Sequence, residues 1–198
     1  MRKNRLEAFS DGVIAILITI MVLELKTPQG SGWDALGQTW HVLPPYVLSF
    51  MILAIYWNNH HHMMHTVERV TGGMLWANMH LLFWLSLVPF MTSWMGEHFD
   101  HLPVAGYGVV LLMASIAFYI LSRVVIASQG PKSKLAEAIG GDFKGMVSTG
   151  LNLCAIPLAF VWPWMSAAIY ALVALIWLVP DRRIEKRFRD MPLETPLE

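Results

Sequence analysis

Charge is scarce in this sequence and thiols are nearly absent. Only 14% of the residues are charged, against about 25% in an ordinary soluble domain. That deficit argues against a water-soluble globule. The acidic and basic residues cancel formally, so no net field favours nucleic acid as a partner. The single cysteine, Cys154, lies in an apolar run, which excludes a disulfide framework and a thiolate metal centre. His, Asp, Ser and Asn are available, but there is no nucleophile elbow and no zinc-hydrolase motif. The chain is therefore not read as an enzyme. No polar stretch is long enough for a separate soluble domain, and residues 1–198 read as one membrane domain.

What is abundant is apolar surface. Hydrophobic residues make up 56% of the chain, with nine Trp and thirteen Met. A spanning helix needs about 20 mostly apolar residues, and six segments qualify. They run approximately over Glu7–Leu25, Pro45–His65, Gly73–Met95, Val104–Ala127, Gly145–Val161 and Trp164–Val179. The fold class is all-α integral membrane, with six transmembrane helices. Trp162-Pro163-Trp164 joins the last two as a tight helical hairpin, and Gln29–Trp40 is a loop with room for a short interfacial helix. The basic start, Met1-Arg2-Lys3-Asn4-Arg5, looks like a signal peptide's. The run after it contains Asp11 and Glu24 and lacks a small-residue cleavage site, so it reads as a retained helix.

Six spans with the N-terminus inside leave Lys26 as the only outer basic residue, and the other thirteen Lys and Arg lie at or near inner segments. This satisfies the positive-inside rule and places both termini in the cytoplasm. Trp33, Trp40, Trp94, Trp162 and Trp164 fall near the outer surface, and Trp57, Trp76 and Trp177 near the inner one, as interfacial belts require. Glu24, Asp34, Glu97 and Asp100 give the outer side an acidic excess. It reads equally as a device that concentrates cations and as incidental.

Ionisable groups inside spans point to functional sites. Asp11 lies about one turn into the first run. Two readings stand level: Ser10 or Asp11 as a helix-start cap, or Asp11 in a network between helices. His60 near the end of the second span and Asn78 early in the third lie at a similar depth, which favours a shared polar cluster. His61 and His65 stand at i, i+4, a spacing able to hold a metal. Glu68 is the only acid nearby in sequence, so the reading is structural hydrogen bonding and no resident metal. Ile16, Thr19 and Leu23 share one face of the first helix, flanked by Ile20. Such a stripe is ordinarily packing, but repeated about a symmetry axis it would form rings that gate by closure or dewetting. Val104-Ala105-Gly106-Tyr107-Gly108 has the look of a carbonyl filter, but Pro103 precedes it and a full apolar span follows. It reads as a glycine-containing helix start.

Taken together, Arg5-x-x-x-Phe9-Ser10-Asp11-Gly12 resembles the signature of the transmembrane protein 175 potassium channels. Trp57-x-x-His60, Leu75-Trp76-Ala77-Asn78 with Pro89-Phe90, and Val179-Pro180-Asp181-Arg182-Arg183 are similar to later features of that family, in the same order. The resemblance implies a cation channel favouring potassium, without a carbonyl filter. It implies a homotetramer of six-helix subunits with helix 1 lining a central pore, in a bacterial inner membrane. Ile16 would be the main constriction, with Thr19 and Leu23 forming layers outward from it. Arg5, Phe9, Ser10, Asp11, Trp57, His60 and Asn78 would form the structural network that holds helix 1. No cofactor is implied, and the partners are other copies of the chain, lipid and transient potassium. His61, His62 and His65 have no place in that pattern. The alternative is a secondary transporter for a small cation, against which stands the lack of an internal repeat or paired broken helices.

Overall fold

The computed structural model describes residues 3–130, 133, 135 and 143–178. Among these the regular structure is entirely helical: α1 (Lys3–Leu23), α2 (Trp33–Thr39), α3 (Leu43–His65), α4 (Gly72–Ser86), α5 (Val88–Glu97), α6 (His101–Gln129), α7 (Phe143–Ala159) and α8 (Pro163–Leu178). A 3-10 turn, Trp40–Val42, feeds α2 into α3. Within the described residues, each of the six apolar segments lies largely on helix. Among the described residues, four stretches are long and apolar enough to cross a membrane: Lys3–Leu23, Trp33–His65, Gly72–Glu97 and His101–Gln129; Pro163–Leu178 is a shorter apolar helix. Helices suit such a sequence because every backbone group is satisfied within the segment, where lipid offers no partner.

The third apolar segment departs from the single helix expected over Gly73–Met95. It is two helices end to end, α4 and α5, parted at Leu87. Pro89 has no N–H to give the Leu85 carbonyl, and the Leu87 N–H turns back on Leu85 and Trp84 instead. The helix resumes as Met91 N donates to Leu87 O at 3.1 Å. The loop after α1 does contain a short helix, α2, carrying the exposed Trp33. Val104–Gly108 lies inside α6, with its backbone in the helix ladder. Lys132, Lys134, the end of the last span at Val179, and Val179-Pro180-Asp181-Arg182-Arg183 fall outside the described residues.

Two apolar clusters organise the packing. One joins α1, α3, α4, α5 and α6 through Ile14, Leu53, Met64, Leu81, Val88 and Leu121. The other joins α3, α5, α6, α7 and α8 through Leu48, Met95, Tyr107, Ala155 and Tyr170. α6 is the spine, with α4 and the α7–α8 hairpin against it, and α1 leans on α3, α4 and α5. The hairpin is pinned by Ser166 Oγ donating to Ala155 O at 2.8 Å and by Trp177 Nε1 donating to Ser148 Oγ at 2.8 Å. Close approach of α6 and α8 depends on Gly108, because a β-carbon there would run into the Tyr170 phenol.

Candidate functional site

The first helix has two unlike faces. Leu6, Ser10, Ile14, Leu17 and Met21 are buried against the rest of the chain. Arg5, Phe9, Gly12, Ile16, Thr19 and Leu23 are all exposed, Ile16 by 57% and Leu23 by 81%. Their spacing, 4-3-4-3-4, puts them along one face of the helix. Thr19 Oγ1 donates to its own Ile16 carbonyl at 2.8 Å, which leaves the hydroxyl's lone pairs facing outward. Sequence spacing alone finds Ile16, Thr19 and Leu23. The fold extends the same line down to Gly12, Phe9 and Arg5.

The buried face carries a polar relay. Asn78 Nδ2 on α4 donates to Ser10 Oγ on α1 at 2.9 Å, and Ser10 in turn donates to Leu6 O at 2.9 Å. Asn78 Oδ1 lies 2.8 Å from His60 Nε2 on α3. An amide oxygen only accepts, so the His60 proton sits on Nε2. Ser10, His60 and Asn78 are completely buried. Three helices are thus joined at one depth through one asparagine.

Asp11 is not part of that relay. It faces α3 one turn away, where its Oδ1 accepts from Trp57 Nε1 at 3.0 Å. The Trp57 ring stacks on His61, with centroids 5.8 Å apart and planes at 20°. His61 Nε2 lies 3.0 Å from His65 Nε2, and His61 Nδ1 lies 3.2 Å from Glu7 Oε1. Lys3 Nζ donates to the His65 carbonyl at 3.0 Å. The polar network named from the sequence is therefore two structures: Ser10 with Asn78 and His60, and Asp11 with Trp57. Arg5 and Phe9 join neither, being exposed along the outer stripe. Glu7 was invisible as a partner of the histidines, since it stands 54 positions before His61 in the chain.

At the opposite end of α1 the surroundings are acidic. Ser93 Oγ donates to Glu24 Oε2 at 3.4 Å, and Lys26 pairs with Glu97. That carboxylate, through its hydrogen bond and then its charge, holds the Lys26 ammonium's pKa above the ordinary value. Leu17, Ile20, Glu24, Phe90 and Glu97 line an open groove between α1 and α5. Deeper in the bundle, Tyr107 OH and Ser49 Oγ share a hydrogen bond at 2.8 Å, and Thr92 Oγ1 lies 2.6 Å from Ser49 Oγ. Sequence reasoning missed this second buried cluster. Hydroxyls on apolar helices usually bond to their own backbone, so nothing in the sequence marks these three as partners.

A family model described as the endosomal/lysosomal potassium channel TMEM175 matches residues 5–89. A protein of Chryseobacterium sp. (strain P1-3) named as a potassium channel is 52% identical over 191 residues, covering 96% of this chain and all of that one. A protein of Streptomyces collinus (strain DSM 40733 / Tue 365), also named as a potassium channel, is 36% identical over 194 residues, covering 88% of this chain and 90% of its own. The crystal structure of a lysosomal potassium-selective channel TMEM175 homolog from Chamaesiphon minutus superposes with a TM-score of 0.77 at 27% identity, covering 89% of this chain and 96% of that one.

Proposed function

This chain belongs to the TMEM175 potassium-channel family, a family of ion channels rather than enzymes, and from that membership we propose that it conducts potassium passively across a membrane. In this reading the subunit has six transmembrane helices and both termini in the cytoplasm, and four copies surround a central pore in a bacterial inner membrane. α1 lines that pore. The observation that carries the reading is the two-faced character of α1. One face is anchored by Leu6, Ser10, Ile14, Leu17 and Met21, while Ile16, Thr19 and Leu23 are exposed on the other. A seam of period 3.5 on an outer helix fits association of like helices about an axis.

Ile16 is the narrowest ring. An apolar ring resists a hydrated ion by steric closure or by dewetting, so it limits current in the closed state. Thr19 and Leu23 form the next layers outward. The Thr19 oxygen replaces part of the water that a potassium ion sheds there. The Ser10–Asn78–His60 relay and the Asp11–Trp57 bond hold α1 in register and do not touch the ion. No cofactor takes part in conduction.

Purified protein in liposomes loaded with potassium, with flux driven by a gradient, tests the function. Potassium efflux at single-channel rates supports a channel. Saturable turnover at carrier rates would replace it with a secondary transporter, and tight liposomes would refute conduction. Chemical cross-linking before solubilisation tests the assembly, for which a ladder ending at four subunits is expected.

A further inference from the structure

We propose that Glu7, His61 and His65 form a binding site for a divalent transition ion of the zinc class, which ties the first turns of α1 to the last turns of α3. The site is independent of whether the chain conducts. Each residue offers one ligand atom, and these atoms all lie within 4.8 Å of one another. Two imidazoles and a carboxylate are the donor set that zinc takes with an open fourth position for water.

Three further observations support a ligand there. First, the two imidazole nitrogens of His61 and His65 stand 3.0 Å apart. Donors at zinc-ligand bond lengths in a tetrahedron are roughly 3.3 Å apart, so the pair needs only a slight opening. Second, His61 Nδ1 is buried and makes no aligned hydrogen bond, although Glu7 Oε1 lies 3.2 Å away. A buried ring nitrogen without a partner is costly; with the metal on His61 Nε2, the Nδ1 proton is left to donate to one Glu7 oxygen, while the other Glu7 oxygen stays available to the ion. Third, the ring is held from behind. Trp57 stacks on His61, and Asp11 fixes Trp57 through its indole N–H. Zinc sites depend on such outer partners to orient their ligands.

The opposing charge is local: Lys3 lies on the His65 carbonyl. Its ammonium ends a flexible four-carbon stem and bonds to backbone rather than to the donor atoms. Glu7 supplies the negative charge that a pair of histidines on one helix lacks. This is also why the sequence points away from a metal, since the needed acid arrives from another helix.

The test is zinc titration by calorimetry into the full-length protein, purified through a tag without histidine and stripped with chelator. One zinc ion per chain is expected, with affinity at or below about 10 μM. His41→Ala, at the other end of the bundle, should leave binding unchanged. His61→Ala and His65→Ala should each weaken it by at least about tenfold, and Glu7→Gln by a similar factor. His65→Cys, which supplies a thiolate in place of the imidazole, should restore it. Equal binding by wild type and by the His61→Ala/His65→Ala double variant would overturn the proposal, as would no zinc binding in the wild type. Should the histidine variants fail to fold, anomalous scattering at the zinc edge from wild-type crystals decides. An ion between Glu7, His61 and His65 supports the site, and zinc found only elsewhere refutes it.

Discussion

Asn78 gives its amide hydrogen to Ser10 at 2.9 Å across the contact between α4 and α1, and the same side chain accepts on its other atom from His60. One asparagine therefore satisfies buried groups on two neighbouring helices. Removing it leaves His60 Nε2 without its partner in an apolar interior and leaves Ser10 only its bond to the Leu6 carbonyl. Asn78→Leu, which keeps the volume, should lower stability by about 1–3 kcal/mol. Thermal unfolding in detergent or nanodiscs should show the fall. Ser10→Ala, which removes only one end of the relay and a hydroxyl that also bonds its own helix, should cost less. An Asn78→Leu protein as stable as wild type would show that the relay does not hold α1.

Asp11 has a narrower task. Its carboxylate accepts from Trp57, and Trp57 supports His61 by stacking. Asp11→Asn keeps an accepting oxygen and should retain most of the stability. Asp11→Ala and Trp57→Phe remove the bond from either side. They should each lower stability by about 1 kcal/mol, more if the charge-assisted component is large, and together by little more than either alone. In flux assays the same variants should reduce the amount of assembled protein and leave ion preference unchanged. A normal assembly with altered ion preference would move Asp11 into the ion's path.

The apolar segments are legible in the sequence because the bilayer demands length and hydrophobicity, and both are read directly. The relay is legible in part. His60 and Asn78 stand out because a polar group in a span requires a partner, and matching depth narrows the choice; the partner that depth suggests on α1 is Asp11, whereas Ser10 reads as a cap. Two things are hidden, for one reason. Hydropathy measures how apolar a helix is and not which face meets which neighbour. So the separation of Asp11 from Asn78, and the arrival of Glu7 beside His61, appear only when α1 is docked on α3. The break at Leu87 is hidden differently. Pro89 is visible, but proline in a membrane helix is often absorbed without a break.

Gly108 tests how tightly the hairpin must sit against the spine. A β-carbon added there meets the Tyr170 hydroxyl and ring, and then Ile156. Tyr170 is buried and its OH donates to Val104 O at 3.3 Å, so it cannot swing away freely. Gly108→Ala should destabilise by about 1–3 kcal/mol through overpacking. Tyr170→Phe removes the nearest atom of the clash and should recover part of that loss when combined with Gly108→Ala. This coupling is expected because the two positions touch. Strict additivity of the two losses would mean that α6 and α8 separate without regard to the ring.

Ile16 carries the functional claim most directly. It is 57% exposed within the subunit, and it lies on the same line as Thr19 and Leu23. If four copies of α1 face an axis, Ile16 forms an apolar ring that an ion crosses only after losing water. Ile16→Asn puts an amide in that ring, which both wets it and offers oxygens to the ion. Lowering the barrier by about 1 kcal/mol would raise the current roughly fivefold, and a gain of that order in single-channel recordings is the expected result. Phe9→Ala, on the same stripe but outside the proposed constriction, should change the current much less. Equal currents from wild type and Ile16→Asn, with equal amounts of protein in the bilayer, would place this face of α1 against lipid or a neighbouring chain instead of a pore. The relay through Asn78 would then fix α1 for a different purpose.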